Sequence, residues 1–251
     1  MPPGYRTVLV TGASRGIGAA VVERLCARGL DVVAVARNGD ALAELAARTG
    51  CTPLVLDLMD VDAAHAALRD REIDVLVNNA GIVTKVRPLH EADRADLDRM
   101  LTVNLGAAIH LTHAVLGGMR ARRRGHVIFV GSTAGRYVLP NLAVYGATKA
   151  ALHHFARGLR YELAGTRVRV TEIAPGRVAS DVYLEAMEGD RERMMAAFYD
   201  RVETLRPADV AQAIEAALDL PEGADAAYVE LFPTDSAAGG GVYADRPPQS
   251  R

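Results

Sequence analysis

The chain has few cysteines, few aromatic residues and little net charge. Only two of its 251 residues are cysteines, Cys26 and Cys51, which are too few for a disulfide framework or a four-thiolate zinc site. We therefore expect two ordinary buried thiols. Aromatic residues make up 5% of the chain and tryptophan is absent, which argues against an aromatic surface that stacks on sugars or single-stranded nucleic acid.

Charge and hydropathy exclude further classes. The 29 Lys and Arg nearly balance the 31 Asp and Glu, so neither a nucleic acid nor an anionic membrane is required as a partner. No basic segment followed by an apolar one marks a secretory signal, and no run approaches the roughly 18 apolar residues of a membrane span. Half of the residues are hydrophobic, enough for a sizeable core. We expect a soluble cytoplasmic protein.

Short β-branched apolar runs alternate with longer helical patterns. This alternation predicts a single α/β domain over residues 1–251, a doubly wound Rossmann fold whose parallel sheet of seven strands is flanked by helices. The predicted strands are Arg6–Thr11, Asp31–Ala36, Thr52–Leu56, Val75–Asn78, His126–Gly131, Arg167–Ile173 and Ala227–Leu231. The predicted helices are Ile17–Arg28, Ala41–Arg48, Ala63–Arg71, Arg94–Met119, Val144–Leu163 and Pro207–Leu218.

Two segments interrupt the alternation. Residues 177–206 follow a predicted strand, where ligands bind in open α/β sheets, and we interpret them as a lid over the substrate. Residues 237–251 contain Gly239-Gly240-Gly241 and Pro247-Pro248, which predicts a flexible tail, with packing on a neighbouring subunit as the alternative.

A glycine-rich loop joins the first predicted strand to the first helix. Its sequence is Thr11-Gly12-Ala13-Ser14-Arg15-Gly16-Ile17-Gly18. Glycines there permit a tight turn and close approach of the backbone to a pyrophosphate, which the free N–H groups of the helix terminus bind. A turn that only packs a helix on a strand also needs glycine, but the position in the first βαβ unit favours a dinucleotide site.

The end of the second predicted strand distinguishes the two nicotinamide cofactors. A carboxylate there binds the ribose 2′-hydroxyl of NAD, whereas an arginine accommodates the 2′-phosphate of NADP. Here the strand is followed by Arg37, and Arg15 projects from the glycine loop. Either arginine alone is typical of a solvated surface charge; together they predict NADP(H).

Two further strand ends supply candidate cofactor contacts. Asp57-Leu58 follows the third strand, where the carboxylate either receives the adenine amino group or caps the next helix. Asn78-Asn79-Ala80-Gly81 ends the fourth strand, and the small residues Ala80 and Gly81 let a ribose and nicotinamide lie against the main chain. A simple turn explains the second segment equally well in isolation.

Three residues suggest acid–base chemistry. Ser132 follows the fifth strand, and Tyr145 and Lys149 lie one turn apart on the same helical face. A phenol with a pKa of about 10 is a weak base at neutral pH, but a nearby cation favours the phenolate. We therefore predict that Tyr145 exchanges a proton with a substrate oxygen held by Ser132.

These motifs occur in the order found in the short-chain dehydrogenase/reductase family, which the chain resembles from about Tyr5 to Phe232. The resemblance rests on the glycine loop, Asn78-Asn79-Ala80-Gly81, Ser132, the Tyr145-x-x-x-Lys149 pair and Pro175-Gly176. It implies that Tyr145 is the general acid/base, that Ser132 polarises the substrate oxygen, and that Lys149 tunes Tyr145 and binds the nicotinamide ribose.

The resemblance also implies roles for residues to which the sequence pattern alone assigns no role. Asn104 matches an asparagine that holds a water near the lysine; by itself it is a polar residue inside a helix. Pro175, Gly176 and Val178 resemble the segment that covers the nicotinamide, and Ser180 stands where many members have threonine. The helices that carry Asn104 and Tyr145 resemble those that form the family's oligomers, which implies a homodimer or homotetramer with His153-His154 on a polar subunit face.

The C-terminal segment indicates which branch of the family the chain resembles. Phe232-Pro233-Thr234-Asp235 resembles the ending of small NADP(H)-preferring carbonyl reductases, and it lacks the glycine-glycine ending of acyl-carrier-protein ketoreductases. The implied function is hydride transfer between NADP(H) and a ketone or aldehyde, as a reductase of specialised biosynthesis. An alcohol-oxidising dehydrogenase and an acyl-carrier ketoreductase remain alternatives within enzymes.

A binding protein is the alternative from another class. Arg120-Ala121-Arg122-Arg123-Arg124 would bind a polyanion in an NADP(H)-dependent regulator, although a solvated helix end is the more ordinary interpretation. The other histidines lack ligand spacing, so we predict no metal. Substrate selectivity is assigned to residues 84–91, 136–144 and 177–206, with Tyr137, Val138, Tyr183 and Met187 as pocket walls or ordinary loop packing.

Overall fold

A computed structural model describes residues 4–200 and 203–236. The predicted tail at 237–251 lies outside the described residues. The strands are β1 (Thr7–Thr11), β2 (Asp31–Ala36), β3 (Thr52–Val55), β4 (Val75–Asn78), β5 (Gly125–Val130), β6 (Val168–Pro175) and β7 (Tyr228–Leu231). Every predicted strand is therefore present, with boundaries that differ by two residues or fewer.

The helices follow the predicted alternation. They are α1 (Gly16–Ala27), α2 (Gly39–Thr49), α3 (Val61–Leu68), α4 (Arg94–Leu101), α5 (Ala107–Arg122), α6 (Ala143–Glu162), α7 (Arg191–Phe198) and α8 (Pro207–Asp219). Side-chain caps begin several of them: Asn38 accepts from the N–H of Ala41 at 3.0 Å at the start of α2, and Asp60 accepts from Ala63 at 2.9 Å at the start of α3.

All strand pairs are parallel, in the order β3-β2-β1-β4-β5-β6-β7. The chain moves outward from β1 to β3, returns to β4 beside β1, and then moves outward on the other side. This order confirms the doubly wound fold. The carboxyl ends of β1 and β4 meet where the direction reverses, which is where open α/β sheets bind their ligands.

Apolar side chains fill a layer on each face of the sheet. One layer joins the sheet to α1, α2 and α8, with Val8, Val22 and Ile214 fully buried. The other joins it to α3, α5 and α6, with Leu68, Phe129 and Leu152 at its centre. Because both faces are covered, the strands are continuous apolar runs rather than alternating ones.

The predicted helix over Arg94–Met119 is present, but it is not α-helical throughout. A π-helical turn, Thr102–Gly106, separates α4 from α5. The run Arg94–Arg122 is long and apolar enough for a membrane span by composition, but the buried residues of α5, including Leu111 and Met119, belong to the core against the sheet. We interpret it as a core helix.

A buried histidine lies at the base of the sheet. His126 is 0% exposed, and its Nε2 lies 2.8 Å from Thr171 Oγ1, whose proton is donated to Asp225 at 3.1 Å. His126 Nε2 is therefore the donor, and Nδ1 has no partner among the described residues. Burial, with a smaller effect of Arg169 and Arg160, lowers the pKa of His126 well below its usual value.

Replacing His126 with leucine should reduce the acid sensitivity of the fold. Because the folded pKa lies below the unfolded one, stability is present above about pH 6.5 and is lost below it, as the unfolded chain alone takes up the proton. This group contributes a slope of up to about 1.4 kcal/mol per pH unit. Urea unfolding at several pH values should show that slope removed in His126→Leu; parallel curves would contradict the assignment.

Candidate active site

A cleft of about 800 Å³ opens at the carboxyl ends of the strands. It lies where β1 and β4 meet, beneath the segment that follows β6. Its lining includes all the predicted cofactor residues except Gly18, together with Ser132: Gly12, Ser14, Arg15, Gly16, Ile17, Arg37, Asp57, Leu58, Asn79, Ala80, Gly81, Ser132, Tyr145, Lys149, Pro175, Gly176, Val178 and Ser180.

The glycine loop is packed so closely that side chains are excluded at two positions. Gly12 has φ +65°, and a Cβ there would lie 2.9 Å from Ala80 Cα. A Cβ on Gly18 would lie 2.2 Å from the carbonyl oxygen of Gly12. Gly18 therefore packs α1 beneath the loop rather than lining the cleft, and the loop presents backbone at the start of α1.

The end of β4 is fastened to this loop. Asn79 donates from Nδ2 to the carbonyl oxygens of Thr11 at 2.8 Å and Gly12 at 3.3 Å. The Thr11 hydroxyl accepts from the N–H groups of Asn79 and Ala80, each at 3.0 Å. Asn79 thus fixes the loop with its side chain, and Ala80 and Gly81 present main chain to the cleft.

Two arginines also line the cleft. Arg15 precedes α1 and Arg37 follows β2, and both are exposed. Neither guanidinium has a hydrogen-bond or ion-pair partner within residues 4–200 and 203–236. Asn38 after Arg37 caps α2, so the end of β2 offers one unpaired cation, Arg37, and no carboxylate, while Arg15 is the unpaired cation of the glycine loop.

Asp57 has a local structural contact. Its Oδ1 accepts from the N–H of Met59 at 3.0 Å, while the cap of α3 is Asp60. The interpretation of Asp57 as a helix cap is therefore wrong, because the cap of α3 lies three residues later and the helix begins at Val61. The Asp57 carboxylate borders the cleft.

Ser132, Tyr145 and Lys149 line the same cleft, and the Ser132 hydroxyl accepts from the N–H of Ala134 at 3.1 Å. The contact with Ser132 lowers the pKa of Tyr145, but burial has the larger effect and raises that pKa well above its usual value. Lys149 Nζ lies 5.9 Å from the centre of the Tyr145 ring and donates to the carbonyl oxygen of Val130 at 2.9 Å. The spacing predicts a phenolate favoured by Lys149; in the structure, desolvation of the phenol outweighs that effect.

Asn104 is 1% exposed and lies in the π-helical turn. It accepts from the N–H of Ile82 at 2.8 Å and donates to the carbonyl oxygen of Ile82 at 3.0 Å. Both ends of the amide are used to hold the segment after β4. The π turn, which is frequent at functional sites, is what brings Asn104 to this segment.

The segment after β6 covers the glycine loop. Gly176 donates to the carbonyl oxygen of Leu231 at 2.7 Å, and Ala179 to that of Leu205 at 2.8 Å. Ser180 lies above the loop, since a Cβ on Gly16 would be 3.6 Å from Ser180 Cβ. These contacts fix residues 175–180, which we call the strap, and the strap closes one side of the cleft.

The predicted lid is ordered into short helical turns and α7. Asp181–Tyr183 and Glu185–Met187 are 3₁₀ turns, and the Tyr183 ring stacks on Phe198 with centroids 4.2 Å apart. A bidentate ion pair joins Glu185 to Arg99 on α4, with the shorter contact at 2.7 Å. Arg99 lines the cleft and has no recognisable sequence motif, so sequence reasoning missed it.

The four additional substrate residues have different positions. Tyr183 lines the cleft, while Tyr137 packs edge-on against Phe232 with ring centroids 6.1 Å apart. Val138 is 96% exposed, so its assignment as a pocket wall is wrong in this structure. Met187 is half-buried and is not in the cleft lining.

A smaller cavity of about 130 Å³ meets the cleft at Tyr145. Two of the predicted selectivity segments form its walls, residues 84–89 and 141–145, together with α4. Its cations are neutralised: Lys85 lies 2.8 Å from Asp93, and Arg87 lies 4.0 Å from the same carboxylate.

Other charged features of the sequence have structural partners. In the basic cluster, Arg124 binds Asp74 at 3.0 Å and Arg122 lies 3.4 Å from Glu72. His153 Nδ1 lies 2.6 Å from Glu172 Oε2 on β6, and the placement of His153-His154 on a polar subunit face stays a prediction. Within the described residues, no group of three or more His, Cys, Asp or Glu side chains is placed to hold a metal.

A family model of short chain dehydrogenases matches residues 6–190. The chain belongs to this family. A short-chain type dehydrogenase/reductase of Sinorhizobium fredii is 42% identical over 238 residues, covering 94% of each chain. The NADP-dependent 3-hydroxy acid dehydrogenase of Salmonella typhi is 38% identical over 245 residues, covering 94% of this short-chain dehydrogenase and 98% of its own length.

Solved structures agree with the sequence relatives. The closed form of a serine dehydrogenase complexed with NADP⁺ superposes with a TM-score of 0.89 at 34% identity, covering 98% of this chain and all (100%) of the other. A short-chain dehydrogenase from Sphingobium yanoikuyae in complex with NADPH has a TM-score of 0.77 at 28% identity, with 91% and 88% covered. Both solved structures share the fold of this chain and contain the phosphorylated form of the nicotinamide cofactor.

Proposed function

We propose that the protein interconverts a ketone or aldehyde and an alcohol by hydride transfer with NADP(H), and that Tyr145 is its acid/base. The observation that carries this proposal is one continuous cleft, in which Ser132, Tyr145 and Lys149 lie at one end and the unpaired Arg15 and Arg37 at the other. NADP-dependent relatives at 38% identity support the cofactor.

The chain holds NADP(H) along the full length of the cleft. The glycine loop and the start of α1 receive the pyrophosphate, and Arg15 and Arg37 receive the 2′-phosphate. Asp57 and Leu58 border the adenine, and Ala80 and Gly81 lie against the ribose and nicotinamide. The strap at residues 175–180 covers the nicotinamide, and Lys149 binds its ribose.

The proton chemistry belongs to the chain's own side chains. NADPH, when bound, supplies the hydride to the carbonyl carbon. Ser132 donates a hydrogen bond to the substrate oxygen, and Tyr145 gives that oxygen its proton. A phenol is protonated at neutral pH, and burial raises the pKa of Tyr145 further, so the hydroxyl is present to give that proton. Asn104 holds the adjacent backbone, and its family role in retaining a water near Lys149 remains a prediction.

Two substrate classes have separate support. A reductase of specialised biosynthesis is supported by the carbonyl-reductase resemblance of Phe232-Pro233-Thr234-Asp235. Oxidation of a small 3-hydroxy acid is the second candidate, because that activity is named for the 38% identical relative. Tyr183 and the cavity beside Tyr145 are the proposed selectivity elements in either case.

We further propose a cytoplasmic homodimer or homotetramer built through α4, α5 and α6. The exposed Leu101 on α4 and Tyr161 on α6, 47% and 87% accessible, support an interface there. The proposed unit is a single domain over residues 1–251, with residues 177–206 as the lid.

Absorbance of NADPH with purified protein tests the function. Ketones, aldehydes and 3-oxo acids should be screened for NADPH oxidation, and 3-hydroxy acids including serine for NADP⁺ reduction. We expect turnover of at least one class, with NADP(H) preferred over NAD(H). Failure of all of them, with NADPH binding intact, would favour the regulatory alternative, which salt-sensitive DNA binding would then support.

A further inference from the structure

A buried carboxylate lies behind the proposed active site without a role in it. Glu172 on β6 is 2% exposed, and the preceding residues on the same face of the strand, Val168 and Val170, belong to the apolar core. Burying a carboxylate costs several kcal/mol unless it is paired. Its partner is His153 on α6, at 2.6 Å.

The pair contacts both elements that carry the proposed chemistry. His153 follows Tyr145 and Lys149 at successive four-residue steps, so all three lie on one face of α6. Glu172 also lies against Gly131, the residue before Ser132, because a Cβ there would be 2.1 Å from Glu172 Oε1. Glycine at 131 is what lets the carboxylate approach the end of β5.

Every charged neighbour of Glu172 can be named. Lys149 and His153 face it from α6, and Arg136 from the loop after β5; all three act to keep the carboxylate ionised, while burial raises its pKa. On β7, Tyr228 packs edge-on against the His153 ring at 4.9 Å and donates to Glu230 at 2.7 Å. Arg136 lies over that Tyr228 ring and 3.7 Å from Glu230.

Lys149 is the group on which this carboxylate acts. It is 4% exposed, and burial lowers its pKa to about 8. Glu172 acts in the opposite direction and raises that pKa. The two groups approach adjacent residues at the end of β5, since Lys149 Nζ donates to the carbonyl oxygen of Val130 and Glu172 Oε1 lies beside Gly131. Without this carboxylate the pKa of Lys149 would fall further, and less of the ammonium would keep the charge that the proposed ribose contact needs.

We propose that Glu172, paired with His153, is a positioning residue that keeps the Lys149 ammonium charged at the end of β5. This inference rests on the proposed function for its kinetic consequence, but the state of Lys149 itself does not depend on turnover.

Titration of Lys149 by NMR tests the proposal directly. The chain contains two lysines, Lys85 and Lys149, so protein labelled with ¹³C-lysine gives two side-chain signals, and Lys85→Arg assigns them. In Glu172→Gln, which keeps the size and polarity, the pKa of Lys149 should fall by about one unit, a tenfold loss of proton affinity. Titration with saturating NADP⁺ should preserve the difference between the two proteins.

Matched variants separate charge from structure. Glu172→Asp restores the charge and should recover most of the shift, and His153→Gln should lower the pKa of Lys149 by a smaller amount. Glu230→Gln, which removes a neighbouring carboxylate that contacts Tyr228, should leave Lys149 unchanged. If Glu172→Gln does not fold, the titration of Lys149 in His153→Gln still tests the proposal, because it removes the other member of the pair.

The kinetic readout is the alkaline limb of the reduction rate, which should move to lower pH in Glu172→Gln by the same amount as the titration. An unchanged Lys149 titration in folded Glu172→Gln and His153→Gln would overturn the proposal even in an active enzyme. Absence of turnover with every substrate would instead contradict the proposed function, while the titration would still decide the role of Glu172.

Discussion

Replacing Tyr145 with phenylalanine should lower kcat for carbonyl reduction by about 1000-fold, within the range for loss of a positioned general acid. The change removes only the phenol hydroxyl, and the ring remains to fill the same buried space. Water reaching the cleft is a far weaker acid than a positioned phenol, so KM changes should be small beside the loss in kcat. Steady-state kinetics with NADPH and the best carbonyl substrate measure both.

The control for this variant lies on the same helix. Tyr161 is 87% exposed near the end of α6, and Tyr161→Phe should keep activity within about twofold. Fluorescence titration should give Tyr145→Phe a Kd for NADPH within about threefold of the wild-type value, since the glycine loop and both arginines are unchanged. Undiminished turnover in Tyr145→Phe would exclude the acid/base assignment.

The sheet was predictable because both of its faces are buried. Such strands are short apolar runs bounded by turn residues, and Asp31–Ala36 and Val75–Asn78 have the predicted bounds. The π turn at Thr102–Gly106 was not predictable, because its residues suit an α-helix and the turn accompanies a tertiary contact between Asn104 and Ile82. Local pattern carries no information about such a tertiary contact.

Some features of the proposed site were likewise predictable from the sequence, and others were not. Glycine spacing and the Tyr145–Lys149 step are local, so the sequence shows them directly. Arg99 on α4 lines the cleft, where an ion pair joins it to Glu185 of the lid. The sequence does not show this pairing, because the two residues are far apart along the chain. The pKa of Tyr145 also depends on burial, which spacing does not measure.

Replacing both Arg15 and Arg37 with alanine should reverse the preference for NADPH over NADH. Each arginine that binds a phosphate contributes about 1.5–3 kcal/mol, or about 10- to 100-fold in affinity. We therefore expect Arg37→Ala to raise the KM for NADPH by at least about tenfold and the double variant by at least about 100-fold, with the KM for NADH nearly unchanged. The selectivity is the ratio of kcat/KM for the two cofactors.

Salt dependence and a distant arginine distinguish a phosphate contact from a general change in charge. Arg120 on α5 lies outside the cleft lining, and Arg120→Ala should leave the ratio unchanged. Added salt should raise the KM for NADPH in the wild type more than in the double variant, because exposed ion pairs are screened. If Arg37→Ala lowered kcat/KM equally with NADPH and NADH, the 2′-phosphate contact would be refuted. Other residues of the cleft would then have to determine the cofactor specificity.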